Sequence, residues 1–381
     1  MISRRSFVRV ALVYDRINKL GGAELVLQAF HELYPDADWY TSVWDPKKAP
    51  FSASWPVHAS WLNKIPWLRH HHELVPFLMP FIFESFDLSE YDLVISISSA
   101  ECKGVITRAN TPHINYCLTP TRYLWSHRET YLSRPQFGLV QKIATPIIKK
   151  ILDYLASWDL VASTRPDHMI SISEHVKHRV QKYYNRDTAV IYPPVDLTKF
   201  ASIPRGPSPR LLSDYYLTVS RLVPYKNIEL LVKTFANSDR QLVIVGTGSE
   251  ISKLKKIATS NIQFTGLISN SELATYYHNC RAFLQANTED FGVSMVEALS
   301  VGKPVIAYAK GGAGEIVKDG VNGILVKTGS VRAFRRALDR FETMNLTSKS
   351  CIASAKRFGK LEWQKKITSY IRDAYEKLKK Q

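Results

Sequence analysis

The sequence predicts an α/β chain of two doubly wound, Rossmann-like domains facing a central cleft. Three observations carry this. Short runs of β-branched and aromatic residues alternate with longer amphipathic runs along the whole chain, the pattern of parallel strands buried on both faces and joined by crossover helices. At 381 residues the chain is long for one hydrophobic core and typical of two. Residues 192–210, YPPVDLTKFASIPRGPSPR, hold five prolines and a glycine, which can continue neither a helix nor a central strand.

In order, VRVALVY (residues 8–14) reads as the first strand. Its basic start resembles a secretion leader, but Arg9 and Asp15 break the apolar run and no cleavage site follows. Next come a glycine turn, Gly21-Gly22, and the helical run AELVLQAFHELY. DLVISIS, HINYC, HMISIS and AVIYP follow as strands of the first domain. After the proline-rich break, YYLTVS, LVIVG, IQFTG, AFLQA, PVIAYA and GILVK are the strands of the second, with helical runs such as IELLVKTFAN between them. The predicted bounds are 1–195, a linker at 196–210, 211–357, and a closing helix at 358–381. Two segments depart from the alternation. Residues 61–86 are aromatic and proline-interrupted, and residues 139–160 are apolar on one side with Lys142, Lys149 and Lys150. Either an inserted helical pair packed on its own domain or contact with a membrane interface accounts for them, since aromatics beside basic residues suit the headgroup region. His70, His71 and His72 are consecutive and share no helix face, so they read as surface and not as a metal site.

The formal charge is +17, and residues 201–381 supply most of it, with 28 basic against 15 acidic residues. An anionic partner is expected: phosphate groups, an acidic membrane face or nucleic acid. Stacking aromatics interleaved with a basic groove are not evident, so nucleic acid is not expected. Four scattered cysteines form no close pair, which fits a reducing cytosol and argues against a disulfide framework or structural zinc. No apolar run reaches the length of a membrane span.

The chemistry-bearing residues cluster after strands. Gly21 and Gly22 between strand and helix would present backbone N–H groups to an anion, or make only a tight turn. VGTGSE is a partial Gly-x-Gly. In SRLVPYKN, Arg221 ends a strand and Lys226 follows a proline turn; an Arg fork and a Lys point charge suit a diphosphate. EDFGVSMVEAL (residues 289–299) sets Glu289 and Glu297 with seven residues between them, around Phe291-Gly292. Ser294 and Glu297 have the spacing of a capping box, which would give Glu297 a structural task without any ligand. Glu289, before the turn, would face the cleft.

Taken together, GGAE, SRLVPYKN, EDFGVSMVEALSVGKPVIA and KGGAGEIV resemble glycosyltransferase family four, retaining enzymes of GT-B architecture. YCLTPTRYLW and VIYPPVDLTKF are similar to bacterial mannosyltransferases that build O-antigen. The resemblance implies an acceptor-binding first domain, a nucleotide-sugar-binding second domain, and a last helix that crosses back. It implies that Arg221 and Lys226 hold the donor diphosphate, that Glu289 contacts the donor sugar beside the backbone of Phe291, Gly292 and Val293, and that Glu297 takes the ribose hydroxyls. Gly21 and Gly22 would approach the diphosphate, Gly266, Leu267 and Ile268 would line the base, and Tyr123 and His127 would lie on the acceptor side. Relatives often carry His where this chain has Leu118. The implied activity is mannose transfer from GDP-mannose to a polyprenyl-diphosphate-linked glycan, in O-antigen or polysaccharide synthesis. It would need no cofactor or metal and would run in the cytoplasm at an anionic membrane surface. A UDP-sugar donor and a nucleotide-sugar 2-epimerase are the alternatives.

Overall fold

A computed structural model describes residues 8–19, 21–133, 141–203 and 214–379. The chain divides into two compact units. One comprises Met1–Tyr192 with Gln364–Gln381, and the other Pro193–Trp363.

The first unit is built on seven parallel strands: β1 (Val10–Ile17), β2 (Asp38–Trp44), β3 (Val57–Ala59), β4 (Leu93–Ser98), β5 (His113–Cys117), β6 (His168–Ser171) and β7 (Ala189–Val190), in spatial order β3-β2-β1-β4-β5-β6-β7. β1 starts two residues later and ends three residues later than the sequence pattern suggests, because Asp15 and Arg16 stay in the ladder, Arg16 opposite Val43. β2 and β3 escape the sequence reading. DWYTSVW carries Thr and Ser among its aromatics, and VHA is three residues long, so neither shows a continuous apolar run. Trp39 and Val43 are nevertheless fully buried.

Residues 61–86 form short turns and the helices Pro66–His70 and Met79–Glu84. Leu62, Met79, Ile82 and Phe83 join the core of their own unit with Ala11, Val13, Val43 and Val94. Trp61, Ile65, Trp67, Leu74, Phe77 and Phe81 remain exposed. The histidine triplet is not wholly surface: His72 is buried, its Nδ1 3.0 Å from the Arg69 carbonyl oxygen, because the turn His72–Leu74 folds it inward. In the helix Gln141–Thr164, Ile147, Tyr154, Leu160 and Val161 are exposed; Lys142 lies outside the described side chains.

The second unit has six parallel strands: β8 (Tyr215–Val219), β9 (Gln241–Val245), β10 (Ile262–Gly266), β11 (Phe283–Gln285), β12 (Val305–Tyr308) and β13 (Gly323–Val326), in spatial order β10-β9-β8-β11-β12-β13. Tyr216, Phe235, Leu242, Ile244, Leu284, Ile306 and Phe334 form its core. Within the stretch read as linker, Thr198–Ala201 is a short helix whose Phe200 is buried against Tyr277, ring centroids 5.1 Å apart; residues 204–210 lie outside the described residues. Val195 pairs with Gly359, so the two places where the chain passes between units lie side by side. Among the described residues no helix is long and apolar enough to cross a membrane. All four cysteines are buried and unpaired with one another.

Candidate active site

In the second sheet the strand order reverses between β8 and β11. At such a reversal the loops leaving the C-terminal ends of the two strands diverge to opposite faces, and there open α/β sheets bind ligands. Both of the loops singled out in the sequence are there. The β8 loop carries Arg221 and the turn Pro224–Lys226; the β11 loop carries Asn287 and Glu289.

The geometry builds outward from Glu289. Its Oε1 accepts hydrogen bonds from Lys226 Nζ, from Asn287 Nδ2 at 3.0 Å and from Gln285 Nε2 at 3.2 Å. The Lys226 and Glu289 side chains are only 15% and 19% exposed, so water screens this ion pair less than it would a surface pair. Arg221 is exposed and donates from Nη2 to the Tyr225 hydroxyl at 2.6 Å. The Lys226 ammonium lies 5.3 Å from the centre of the Tyr225 ring, within cation–π range. Tyr225 therefore holds both cations at the end of β8, a role that spacing alone does not reveal.

Glycine is required where two loops touch. Gly311 has φ +76 and pairs with Glu289, and a Cβ there would sit 2.2 Å from the Glu289 carbonyl oxygen. Gly312 donates its N–H to that same oxygen at 2.9 Å. KGGAGEIV thus fixes the backbone on which Glu289 stands. Gly248, in the partial Gly-x-Gly stretch, approaches the Leu222 carbonyl in the same way, so that stretch buttresses the Arg221 loop.

Glu297 corrects the capping-box expectation. The helix Val293–Ser300 starts one residue after Gly292, whose φ of 112 makes it the cap, so Ser294 lies inside the first turn and caps nothing. The capping box of this unit is Ser269 with Glu272. Glu297 is buried; its Oε2 accepts from the Tyr277 hydroxyl at 3.1 Å, and its Oε1 lies 3.6 Å from Lys199 Nζ. Burial pushes its pKa up, and Lys199 and Tyr277 oppose that shift. Phe291 is buried edge-on against Phe358, centroids 5.4 Å apart, so at this loop it is the backbone of Phe291, Gly292 and Val293 that offers contacts. Gly266 (φ +75) ends β10, and Leu267, 82% exposed, and Ile268 follow it.

In the first unit the strand order reverses between β1 and β4. Gly21, extended, and Gly22, first residue of the helix Gly22–Leu33, follow β1, and a Cβ on Gly22 would meet nothing within 4 Å. Asp15 ties the β1 end to the β4 loop by accepting from the Ser99, Ala100 and Cys102 N–H groups at 2.7–2.9 Å. Beside it, Glu101 takes Arg16 Nη2 at 2.9 Å and the Tyr123 hydroxyl at 2.5 Å. Burial raises the Glu101 pKa, opposed by Arg16. Tyr123 is thus joined to a buried charge cluster. His127 instead sits in a turn with its Nδ1 2.8 Å from Ser126 Oγ, which accepts from Arg179. Leu118 is buried. Among the described residues no group of three or more His, Cys, Asp or Glu is placed to hold a metal ion.

Residues 209–358 match the model of the family Glycosyl transferases group 1. The matched stretch falls within the second unit. The chain is 27% identical over 228 residues to an uncharacterized glycosyltransferase of Methanocaldococcus jannaschii, covering 57% of this chain and 61% of that protein. It is 38% identical over 109 residues to a GDP-mannose-dependent alpha-mannosyltransferase of Corynebacterium glutamicum, covering 28% of this chain and 26% of that one. The chain thus spans less than two thirds of the length of these relatives. Among solved structures, Anabaena HepE in complex with UDP matches with TM-score 0.69 at 18% identity, over 96% of this chain and all of that one. The fold is accordingly GT-B, two parallel-sheet Rossmann-like units, with the matched stretch in the second.

Proposed function

We propose that this chain is a retaining glycosyltransferase that moves mannose from GDP-mannose onto a polyprenyl-diphosphate-linked glycan. The observation that carries the reading is the Arg221–Tyr225–Lys226–Glu289 arrangement at the strand-order reversal of the second unit. Sugar transfer builds positive charge on the sugar and negative charge on the departing diphosphate. Arg221 and Lys226, both gathered around Tyr225 at the end of β8, would stabilise the second. In this reading Glu289 takes donor-sugar hydroxyls, Glu297 the ribose, Gly266, Leu267 and Ile268 the base, and Gly21 and Gly22 the diphosphate. Tyr123 and His127 lie on the acceptor side. With two cations on the leaving group, departure needs no metal; EDTA treatment should leave turnover unchanged. Among the described residues none stands out as a covalent nucleophile, so the incoming hydroxyl attacks on the face the leaving phosphate vacates and passes its proton to that phosphate. A covalent sugar adduct trapped during turnover would refute this step.

Mannose is favoured by the Corynebacterium relative, a GDP-mannose-dependent alpha-mannosyltransferase. A uridine donor is the second reading, favoured by the UDP bound to the Anabaena protein of like fold. A donor that binds only the folded chain must raise its Tm by mass action. GDP and GDP-mannose should do so, and UDP and UDP-glucose should not. A shift with uridine nucleotides alone would discard mannose and keep the site. Nucleotide release without acceptor, with an epimerised sugar as product, would support the 2-epimerase instead.

The membrane part of the proposal rests on exposed Trp61, Trp67, Phe77 and Phe81 beside Lys64 and Arg69, which suit the cytoplasmic face of an anionic bilayer. Co-sedimentation with vesicles of anionic phospholipid at physiological salt should be lost in Trp61→Ser/Trp67→Ser. Failure of the wild-type chain to sediment would remove the membrane from the proposal.

A further inference from the structure

We propose that Gln285 and Asn287 are positioning residues that keep Glu289 in place while Lys226 leaves it for the donor phosphate. The inference rests on the glycosyltransferase reading above. Gln285, Asn287 and Glu289 are spaced by two at the end of β11. Gln285 and Asn287 are 4% exposed. Buried side-chain amides cost free energy unless they are hydrogen-bonded, and here they bond to each other and to the carboxylate. Gln285 Nε2 donates to Asn287 Oδ1 and, at 3.2 Å, to Glu289 Oε1. Asn287 Nδ2 donates to Glu289 Oε1 at 3.0 Å and to the Thr288 carbonyl at 3.2 Å. The Asn287 amide has one orientation that satisfies all of these. Its oxygen must face Gln285, and its nitrogen must face Glu289.

The same Glu289 oxygen also takes Lys226. Among the described residues no hydrogen bond reaches Oε2. Three donors on one oxygen exceed its two in-plane lone pairs, so one of them is replaceable. Lys226 is that one, because its flexible stem can swing and a diphosphate offers it more negative charge than a carboxylate shared with two amides. Without other donors, a carboxylate that loses its cation would turn toward water. Two neutral amides prevent this. They hold Oε1 while Oε2 remains for sugar hydroxyls, and being neutral they do not compete with phosphate for Lys226.

The test compares the full-length chain with Asn287→Ala, Asn287→Asp and Gln285→Leu by calorimetric titration of GDP, GDP-mannose, UDP and UDP-glucose, and by nucleotide release from the sugar donor. Asn287→Ala is expected to bind the diphosphate that wild type prefers within about twofold of wild type. It should lose about tenfold in affinity for the matching nucleotide sugar, and at least as much in release rate. Asn287→Asp sets a second carboxylate against Glu289, so its release rate should climb as pH falls from about 8 to about 6 and the new acid takes a proton, with no such climb in wild type. Gln285→Leu should show the same sugar-specific loss in weaker form, and it decides the matter if Asn287→Ala folds poorly. Wild-type behaviour in Asn287→Ala, or equal loss of diphosphate and sugar donor, would overturn the positioning role. Failure of the wild-type chain to bind any nucleotide would instead bring down the glycosyltransferase reading, and this inference with it.

Discussion

Lys226 and Glu297 show how differently two charged residues of one candidate site can stand energetically. Lys226 is paired, stacked on Tyr225 and still partly open to solvent. Its removal leaves Glu289 with two amide donors, so the fold should tolerate the loss. Lys226→Ala is therefore expected to lower kcat/KM for the nucleotide sugar by about 10²–10³, the scale of a lost oxyanion donor, with Tm little changed; steady-state kinetics beside a melting curve checks both. Glu297 is buried and its pKa raised by that burial. A carboxyl whose folded pKa lies above its unfolded value binds more protons folded than unfolded, so its contribution to stability is lost as pH rises through the folded pKa. Glu297→Gln should thus melt higher than wild type at neutral pH, with the gap opening as pH rises above 4.5, while nucleotide binding weakens. A lower Tm for Glu297→Gln across that range would contradict the assignment. The sequence showed Arg221, Lys226 and Glu289 because their types and spacing after strands are informative. It could not show Tyr225, Gln285, Asn287 or Lys199, whose tasks arise only from which side chains the loops bring within reach.

At the scale of elements, the same four-residue spacing meant two different things. Ser269 and Glu272 form a capping box, whereas Ser294 and Glu297 do not, because Gly292 in the left-handed region starts that helix two residues earlier. A Ser-x-x-Glu pattern states that a cap is available, and the backbone conformation just upstream decides whether it is used. Continuous apolar runs such as VALVY in β1 and LVIV in β9 were legible for the converse reason: strands buried on both faces of a parallel sheet are rich in apolar residues. β2 and β3, at one edge of their sheet, carry Thr, Ser and His and were not. The pairing of the two loops at Gly311 was equally hidden, since it is made by backbone alone. Gly311→Ala would both strain a positive φ and drive a methyl group into the Glu289 carbonyl. It should destabilise the second unit by about 1–3 kcal/mol or more, read as accelerated proteolysis within residues 214–363 and loss of nucleotide binding.

At the scale of the molecule, alternation and the proline-rich break were enough to give two doubly wound sheets, while the strand counts and the buried polar ladder of the first unit came only with the structure. That ladder includes His113, fully buried on β5 with Nε2 2.7 Å from Ser96 Oγ. Burial, reinforced by Arg186 and Arg165, lowers its pKa from 6.5 to about 3. Between those values the unfolded chain binds a proton that the folded chain refuses, so stability falls as pH drops from 6.5 toward 3. His113→Asn should reduce that slope, measured as denaturant midpoints of variant and wild type across the same window.

The chain enters the second unit at Pro193, leaves it after Trp363, and returns to the first unit with residues 364–379, where Ile367, Ile371 and Ala374 are buried. The second unit is therefore an insertion within the unit that surrounds it in sequence. During synthesis it is complete and free to fold before the ribosome has supplied the last piece of the unit that began first, and for that interval the N-terminal sheet waits with an apolar seam uncovered. A chain stopped after residue 363 should accordingly keep a folded second unit while its first unit binds chaperones or aggregates.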